Sequence, residues 1–306
     1  MLNSITPPKP TWYILGAGAI GCLWASCWRQ AGFRVVLLTT AAREQHSITL
    51  LRNNQSIETK IEQLTVAQLN ASNIRIKYLL VTTKAQQTLT AVDKIKNHLA
   101  KNATVLVLQN GMAVTKLSDA LPEQTIIAAT TTDGVYRTAP MTIVHAGLGE
   151  TFFGNKAKAL LAILPTAYLT IHSCDNIEAR LWQKLAINCA INGLTAIYRC
   201  NNGELLNKPE AMARINTLCN EIITVASAAG FSASVQQLHT KVQQTLQTTA
   251  SNYSSMYQDI ANHRLSEIDY INGYLCELAA THGINCNENS QIVNEIKQLE
   301  QANVVL

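Results

Sequence analysis

Lys184, Asn188 and Asn192 stand at positions i, i+4 and i+8 of the stretch LWQKLAINCAINGL, residues 181–194. A step of four residues turns a helix face by only about 40°, so the three side chains form one polar stripe. No other charge occurs between Lys184 and Arg199, so the helix that carries the stripe is expected to be buried nearly all round. Asn is a poor helix former, and a buried amide or ammonium without a partner costs on the order of 1–3 kcal/mol or more. Such a stripe needs hydrogen-bonding partners, either on neighbouring helices or on a polar ligand whose pocket it lines.

A second group offers different chemistry. Gly16, Ala17, Gly18, Ala19, Ile20 and Gly21 place glycines where a tight turn, a close approach of a pyrophosphate to the backbone, and close helix-to-strand packing need them. The phosphate charge would rest on the N-terminus of the following helix. The pattern comes directly after the apolar run Trp12 to Leu15 and opens the helical stretch Cys22 to Gln30. Val35 to Leu38 then follows Gly32, so a βαβ unit closes within about 30 residues. In that setting the glycines are expected to bind a dinucleotide rather than form a bland turn. A carboxylate for the adenosine ribose should end the second strand, yet Thr39, Thr40, Ala41, Ala42 and Arg43 stand there. Hydroxyls followed by a cation suit a 2′-phosphate, which makes NADP the expected cofactor. Arg43 is then either its ligand or a solvated loop charge.

Lys84 follows the run Leu79 to Val81, and Asn110 follows Val105 to Leu108. Both fall just past strand carboxyl ends, where open α/β sheets bind ligands, although Asn110-Gly111 is equally a good turn. Ser254-Ser255-Met256 and Ser266-Glu267 complete the candidates. Glu267 is expected in the first helical turn after a Ser N-cap, where a carboxylate favours the macrodipole whatever its function.

Elements must hold these residues in place. Ile48 to Leu51 and Ile57 to Ile61 flank Asn53-Asn54-Gln55 as a hairpin; Tyr78 to Val81, Val105 to Leu108 and Ile126 to Ala129 are buried-strand candidates. Gln86 to Leu99 and Val114 to Leu121 are expected to be helices. Strands alternating with helices imply a parallel, doubly wound Rossmann-type sheet. From Asn176 onward only helical periods remain: Glu178 to Tyr198, Pro209 to Ala229, Val235 to Thr249 and Ser266 to Thr281. The fold class is therefore α/β, a Rossmann-type domain over residues 11–175 joined to an all-α domain over residues 176–306. The cleft between them is the natural place for a ligand.

The 306 residues allow two domains, and 47% hydrophobic with 14% charged residues excludes a disordered chain. The net charge of +4 is scattered with no basic run, which sets nucleic acid aside. The first ten residues lack a signal-peptide order, and no apolar stretch reaches the ~18 residues of a membrane span, so a cytoplasmic protein is expected. Eight cysteines without a CxxC pair read as reduced and structural, with neither a metal site nor disulfides.

The blocks GAGAIG, QNGM, LWQKLAINCAINGLTAIYRCNNGEL and SSMYQDI followed by SEIDYINGYL closely resemble the ketopantoate reductase (2-dehydropantoate 2-reductase) family over nearly the whole chain beyond its first ten residues. The resemblance implies hydride transfer from NADPH to the C2 carbonyl of ketopantoate. It makes Lys184 the proton donor, and Asn188, Asn192, Ser255 and Asn202 substrate contacts. Lys84 and Asn110 would lie at the junction of cofactor and substrate, with Glu267 against the nicotinamide half. Hydride arrival leaves an alkoxide, which a Lys ammonium can stabilise and protonate. Burial would lower that lysine's pKa and a nearby Glu267 would raise it. Two positions depart from the family: its basic residue after the second strand falls near Thr40, leaving Arg43 as a shifted candidate, and the Pro that often follows the second Asn is Gly193. Two other readings stay open, a reductase of another branched 2-keto acid and a non-catalytic NADP-binding sensor. The chain leaves room for a homodimer.

Overall fold

The computed structural model describes residues 9–112, 114–161, 164 and 168–304; the stretch up to Pro8, most of the segment read above for a signal peptide, lies outside the described residues. The chain divides into two compact units. The first runs to Gln109 and resumes through Ile177, and the second takes Asn110–Met112 and what is described from Glu178 on.

The first unit holds β1 (Thr11–Leu15), α1 (Ala19–Gln30), β2 (Arg34–Thr39), β3 (Ser47–Arg52), β4 (Gln55–Lys60), β5 (Glu62–Thr65), α2 (Val66–Asn70), β6 (Ile76–Val81), α3 (Ala85–Asp93) and β7 (Leu99–Leu108). It continues with α4 (Val114–Ala120), β8 (Thr125–Thr131), β9 (Gly134–Ala139), β10 (Thr142–Gly147), β11 (Glu150–Gly154), α5 (Lys158–Leu161) and β12 (Thr170–Cys174). One sheet has the order β12-β11-β8-β7-β6-β1-β2-β5. Every neighbouring pair in it is parallel except β8 with β11, which is antiparallel. A second sheet runs β4-β3-β10-β9.

β1 lies inside the large sheet with both faces covered, which is why its sequence is an unbroken apolar run rather than an alternation. Trp12 and Ile14 enter one core with Trp24 and Trp28 of α1, while Tyr13 and Leu15 enter the core on the opposite face. The indole rings of Trp12 and Trp28 are 4.6 Å apart, and Trp24 meets Trp28 edge-on at 5.1 Å. The chain goes from β1 outward to β2 and later returns to β6 on the other side of β1. That reversal puts the switch point of the strand order, where sheets of this kind bind ligands, at the carboxyl ends of β1 and β6.

The hairpin expected around Asn53-Asn54 is present, with both asparagines at positive φ (50° and 58°) as a tight two-residue turn demands. The helix expected over 86–99 is shorter. It ends at Asp93, a single 3₁₀ turn spans Lys96–His98, and Leu99 opens β7 opposite Ile76, because strand pairing overrides the local helical pattern.

The second unit is helical among the described residues: α6 (Ile177–Ile197), α7 (Pro209–Ala228), α8 (Leu238–Thr248), α9 (Ser255–Ala261), α10 (Asn272–Thr281) and α11 (Asn287–Val304). Gly230 and Gly283 close α7 and α10 at φ of +85° and +65°. The helix expected over 235–249 starts only at Leu238, after a 3₁₀ turn over Ser232–Val235. The single helix expected over 266–281 is broken. Glu267 precedes a 3₁₀ turn, Ile268–Tyr270, and the backbone leaves helical geometry at Ile271 (φ −110°, ψ −91°) before α10 begins. Asn272, fully buried just past that break, donates to the Cys189 carbonyl of α6 at 3.0 Å and to Asn289 Oδ1 of α11 at 2.9 Å.

A buried polar cluster fastens the end of β8 to β10 in the first unit. Asp133 Oδ1 lies 2.9 Å from His145 Nε2 and accepts from the Gly149 amide at 3.0 Å, while Oδ2 accepts from Thr131 Oγ1 at 2.8 Å. Burial opposes the charged carboxylate, but the bonds from His145, Gly149 and Thr131 outweigh it and hold the carboxyl below its ordinary range. A depressed carboxyl contributes stability that is present above the unfolded value near 4 and lost as pH falls through the folded value. Asp133→Asn should therefore cost about 1–3 kcal/mol at neutral pH and lower Tm by several degrees. Thermal melts from pH 7 down to 3 check this: the gap to wild type should narrow as the pH falls below about 4. A constant gap would show that the charge of Asp133 contributes nothing.

Candidate active site

At the carboxyl end of β1 the glycine turn is compact below and open above. Gly16 has φ +114°, and a Cβ there would sit 2.7 Å from the Thr83 amide. A Cβ on Gly21 would meet the Gly16 carbonyl oxygen at 1.9 Å, whereas one on Gly18 would meet nothing within 4 Å. Gly18 is the N-cap of α1 and brings no side-chain cap, and the first turn holds no acid. The helix therefore presents uncapped amides and the positive end of its dipole at the open face, with Ala17, Ala19 and Ile20 half-buried around it. This arrangement fits a dinucleotide pyrophosphate.

The turn is braced from β6 and β7. Thr82 donates through Oγ1 to the Gly16 carbonyl at 2.8 Å and through its amide to Leu15 at 2.9 Å. Gln109, at the end of β7, donates to the Thr83 carbonyl at 2.6 Å and also reaches the Thr88 hydroxyl. Lys84 is the half-buried N-cap residue of α3, and its carbonyl accepts from Thr88 Oγ1 at 3.0 Å. Beyond β2, the Thr39 hydroxyl is spent on the Ala41 carbonyl at 2.9 Å, and Thr40 is exposed. Arg43 is half-buried, with Nη1 3.6 Å from the Met141 sulfur. Arg43 and Arg137 of β9 both act on the Cys22 thiol in α1, although burial dominates and pushes that thiol up to about 11. Arg137, on an exposed edge strand, carried no sequence signal.

In the second unit α6 holds the polar stripe. No residue from Leu181 to Ile197 is exposed; Lys184 and Asn188 are half-buried and Asn192 is buried. Helix geometry keeps the three on one face. Gly193 permits close packing, since a Cβ there would lie 2.4 Å from the Ile292 side chain of α11. Thr195 Oγ1 lies 2.8 Å from the Asn192 carbonyl oxygen and 2.7 Å from Ser254 Oγ. Ser254 in turn caps α9 by accepting from the Tyr257 amide at 3.0 Å. The serine pair thus divides: Ser254 is buried in this network, and Ser255 is exposed at the first position of α9. Asn202 is buried and donates through its side-chain amide to Thr249 Oγ1 at 2.8 Å, while its side-chain Oδ1 has no protein partner.

Asn110 and Glu267, 157 residues apart, are brought together, with Asn110 Nδ2 donating to Glu267 Oε2 at 2.9 Å. Gly111 makes this approach feasible: at φ +75° its Cβ would lie 2.4 Å from the Tyr270 carbonyl. Asn110 is accordingly more than a turn residue. Glu267 is buried and is itself the N-cap residue of the 3₁₀ turn, with no side-chain cap bond; Ser266, expected as the cap, stands one residue earlier and accepts from the Ile268 amide through Oγ at 3.2 Å. Thr195 and Asn272 escaped the sequence reading; Ser254 was among its candidates, and the structure makes it the N-cap of α9.

Among the described residues no group of three His, Cys, Asp or Glu side chains could hold a metal, and no helix is long and apolar enough to cross a membrane.

Comparison with known proteins gives the same outline. The family model for ketopantoate reductase PanE/ApbA matches residues 12–158, and that for its C-terminal part matches residues 176–300. The 2-dehydropantoate 2-reductase of Vibrio cholerae is 35% identical over 94% of this chain and 97% of its own length. The crystal structure of a PanE/ApbA family ketopantoate reductase from Ralstonia eutropha JMP134 is similar with a TM-score of 0.85 and 28% identity, over 96% of this chain and all of that one. A ternary structure of D-mandelate dehydrogenase with NADH and anilino(oxo)acetate has a TM-score of 0.90 at 25% identity, over 96% of this chain and 99% of that one. With both halves matched by family models and a full-length relative above 30% identity, the chain belongs to the ketopantoate reductase family.

Proposed function

We propose that this chain reduces the C2 carbonyl of 2-dehydropantoate to (R)-pantoate with NADPH, a step of pantothenate synthesis. The observation that carries the reading is the Lys184-Asn188-Asn192 stripe on a helix with no exposed residue from Leu181 to Ile197. NADPH, when bound, would supply the hydride for the carbonyl carbon. Lys184, as ammonium, stabilises the charge that develops on the carbonyl oxygen and delivers the proton that makes it a hydroxyl. Asn188 and Asn192, which both donate and accept, hold the substrate's hydroxyl and carboxylate oxygens, with Ser255 and Asn202 as further contacts. The Asn110–Glu267 pair orients the nicotinamide half, and Asn110 also meets the substrate. The glycine turn holds the pyrophosphate, Lys84 stands at the junction of cofactor and substrate, and Arg43 takes the 2′-phosphate.

NADPH oxidation with ketopantoate, compared with a panel of branched 2-keto acids and the keto acid that corresponds to mandelate, tests the reading. Ketopantoate should have the highest kcat/KM; a better rival would reassign the substrate, and cofactor binding without turnover on any of them would make the chain a sensor. The absence of a carboxylate at the end of β2, from Thr39 to Arg43, also sets a cofactor ratio. The kcat/KM for NADPH should exceed that for NADH by about 10-fold, equivalent to ~1.4 kcal/mol, and Arg43→Ala should shrink the ratio. Equal use of both cofactors by the wild type would remove Arg43 from the site.

A further inference from the structure

Cys276 and Cys286 have no part in the reaction proposed above, yet they meet where α10 turns into α11. Both are free thiols, near enough that each perturbs the ionisation of the other. Ser290 joins them further: its hydroxyl lies 3.4 Å from Cys276 Sγ and 2.8 Å from the Cys286 carbonyl, which also accepts from the Ser290 amide at 3.0 Å. Cys286 is buried, whereas Cys276 is half-buried beside the exposed Glu277 and Ser290. A small solute therefore reaches Cys276 first.

The two sulfurs are also electronically unequal. The nearby Cys286 thiol, aided by Ser290, holds the Cys276 thiol below the ordinary range against burial and the charges of Glu221 and Glu277. The same closeness, with burial, keeps Cys286 protonated. Elsewhere burial alone makes thiols inert: it pushes Cys219 up to about 12 and, against the field of Arg52, Cys27 up to about 12.

The geometry points to Cys276 and Cys286 as a reversible dithiol site for small hydroperoxides, with Cys276 the attacking and Cys286 the resolving sulfur. The Cys276 thiolate attacks one peroxide oxygen, the O–O bond breaks, and hydroxide or alkoxide departs, leaving a sulfenic acid. The Cys286 sulfur then attacks the sulfenic sulfur; its proton leaves with the displaced hydroxide as water, and the S–S bond forms. Two electrons pass from the sulfur pair to the peroxide, and a dithiol reductant reverses the step. The bond would fasten α10 to α11 within the helices that brace α6, because Asn272, one turn before Cys276, joins Cys189 to Asn289.

The test treats the reduced full-length protein with a small excess of hydrogen peroxide, blocks free thiols with iodoacetamide and maps the peptides without reduction. One linked pair, Cys276 with Cys286, should appear and vanish on treatment with dithiothreitol. On untreated protein, iodoacetamide should label Cys276 about 10-fold faster than the half-buried Cys174. Cys286→Ser should stop at the sulfenic acid, trapped on Cys276 by dimedone, and Cys276→Ser should give neither link nor adduct. A wild-type map with the link between other cysteines, with Cys276 carried on to sulfinic acid unlinked, or with no change overturns the proposal. That map needs no variant, so it decides the matter even where a serine variant fails to fold.

Discussion

Lys184→Ala should lower kcat by roughly 10²-fold or more while NADPH still binds, because general-acid assistance is typically worth 10²–10⁴ and the proposed reading gives the cofactor's phosphates to the glycine turn. Two measurements are needed together, turnover with ketopantoate and NADPH affinity by fluorescence titration. Lys184 is half-buried on a helix whose own Trp182, Leu185, Ala186 and Cys189 enter the core, so truncation could also loosen packing. Lys184→Met separates the two effects, since it keeps the aliphatic stem and removes only the ammonium. If Lys184→Met retains near-normal kcat, the lysine serves only to satisfy a polar helix and the proton comes from elsewhere. A fall in both variants with KM little changed is the signature of an interaction made in the transition state.

What could be read from the sequence follows physical lines. β1 was legible because both of its faces are buried and nothing polar interrupts it, and α6 because its three polar residues recur with the helix period inside an apolar stretch. The edge strands β9 and β12 were not, because exposed residues such as Arg137, Thr138 and Ser173 erase any apolar signature. The first half of β7, with Lys101 and Asn102 exposed, reads as a helix end for the same reason.

The site shows the same division. The glycines and the stripe announce themselves by local spacing. The Asn110–Glu267 contact depends on a chain crossing from β7 into the helical unit, which no local pattern encodes. Two adjacent serines have different fates because the N-cap position turns Ser254 inward to Thr195 and leaves Ser255 outside. Gly193, read from sequence as a departure from the family, has a reason only in three dimensions, in the nearness of Ile292.

Gly18→Ala and Gly21→Ala should fail differently, and the contrast tests whether the turn after β1 is a cofactor cradle. Gly18 has φ −81° and ψ −172°, extended backbone open to any residue, and a Cβ there meets nothing within 4 Å. The folded protein therefore has no use of its own for a glycine at this position, and the Tm of Gly18→Ala without cofactor should match wild type within about 1–2 °C. If a pyrophosphate approaches the backbone there, the added methyl displaces it by the order of 1 Å, enough to weaken NADPH binding and turnover about 10²-fold. Gly21→Ala must instead force a Cβ against the Gly16 carbonyl at 1.9 Å and the Thr82 hydroxyl at 2.6 Å. Overpacking of that kind costs about 1–3 kcal/mol, so its Tm should fall even without cofactor, and NADPH binding should fall with it. Melting curves with and without saturating NADPH separate the outcomes, since a ligand raises Tm only as far as it binds the folded state. A Gly18→Ala protein stabilised by NADPH as fully as wild type would mean that the open space above residue 18 has no pyrophosphate to receive, and the glycine turn would be left with a packing role alone.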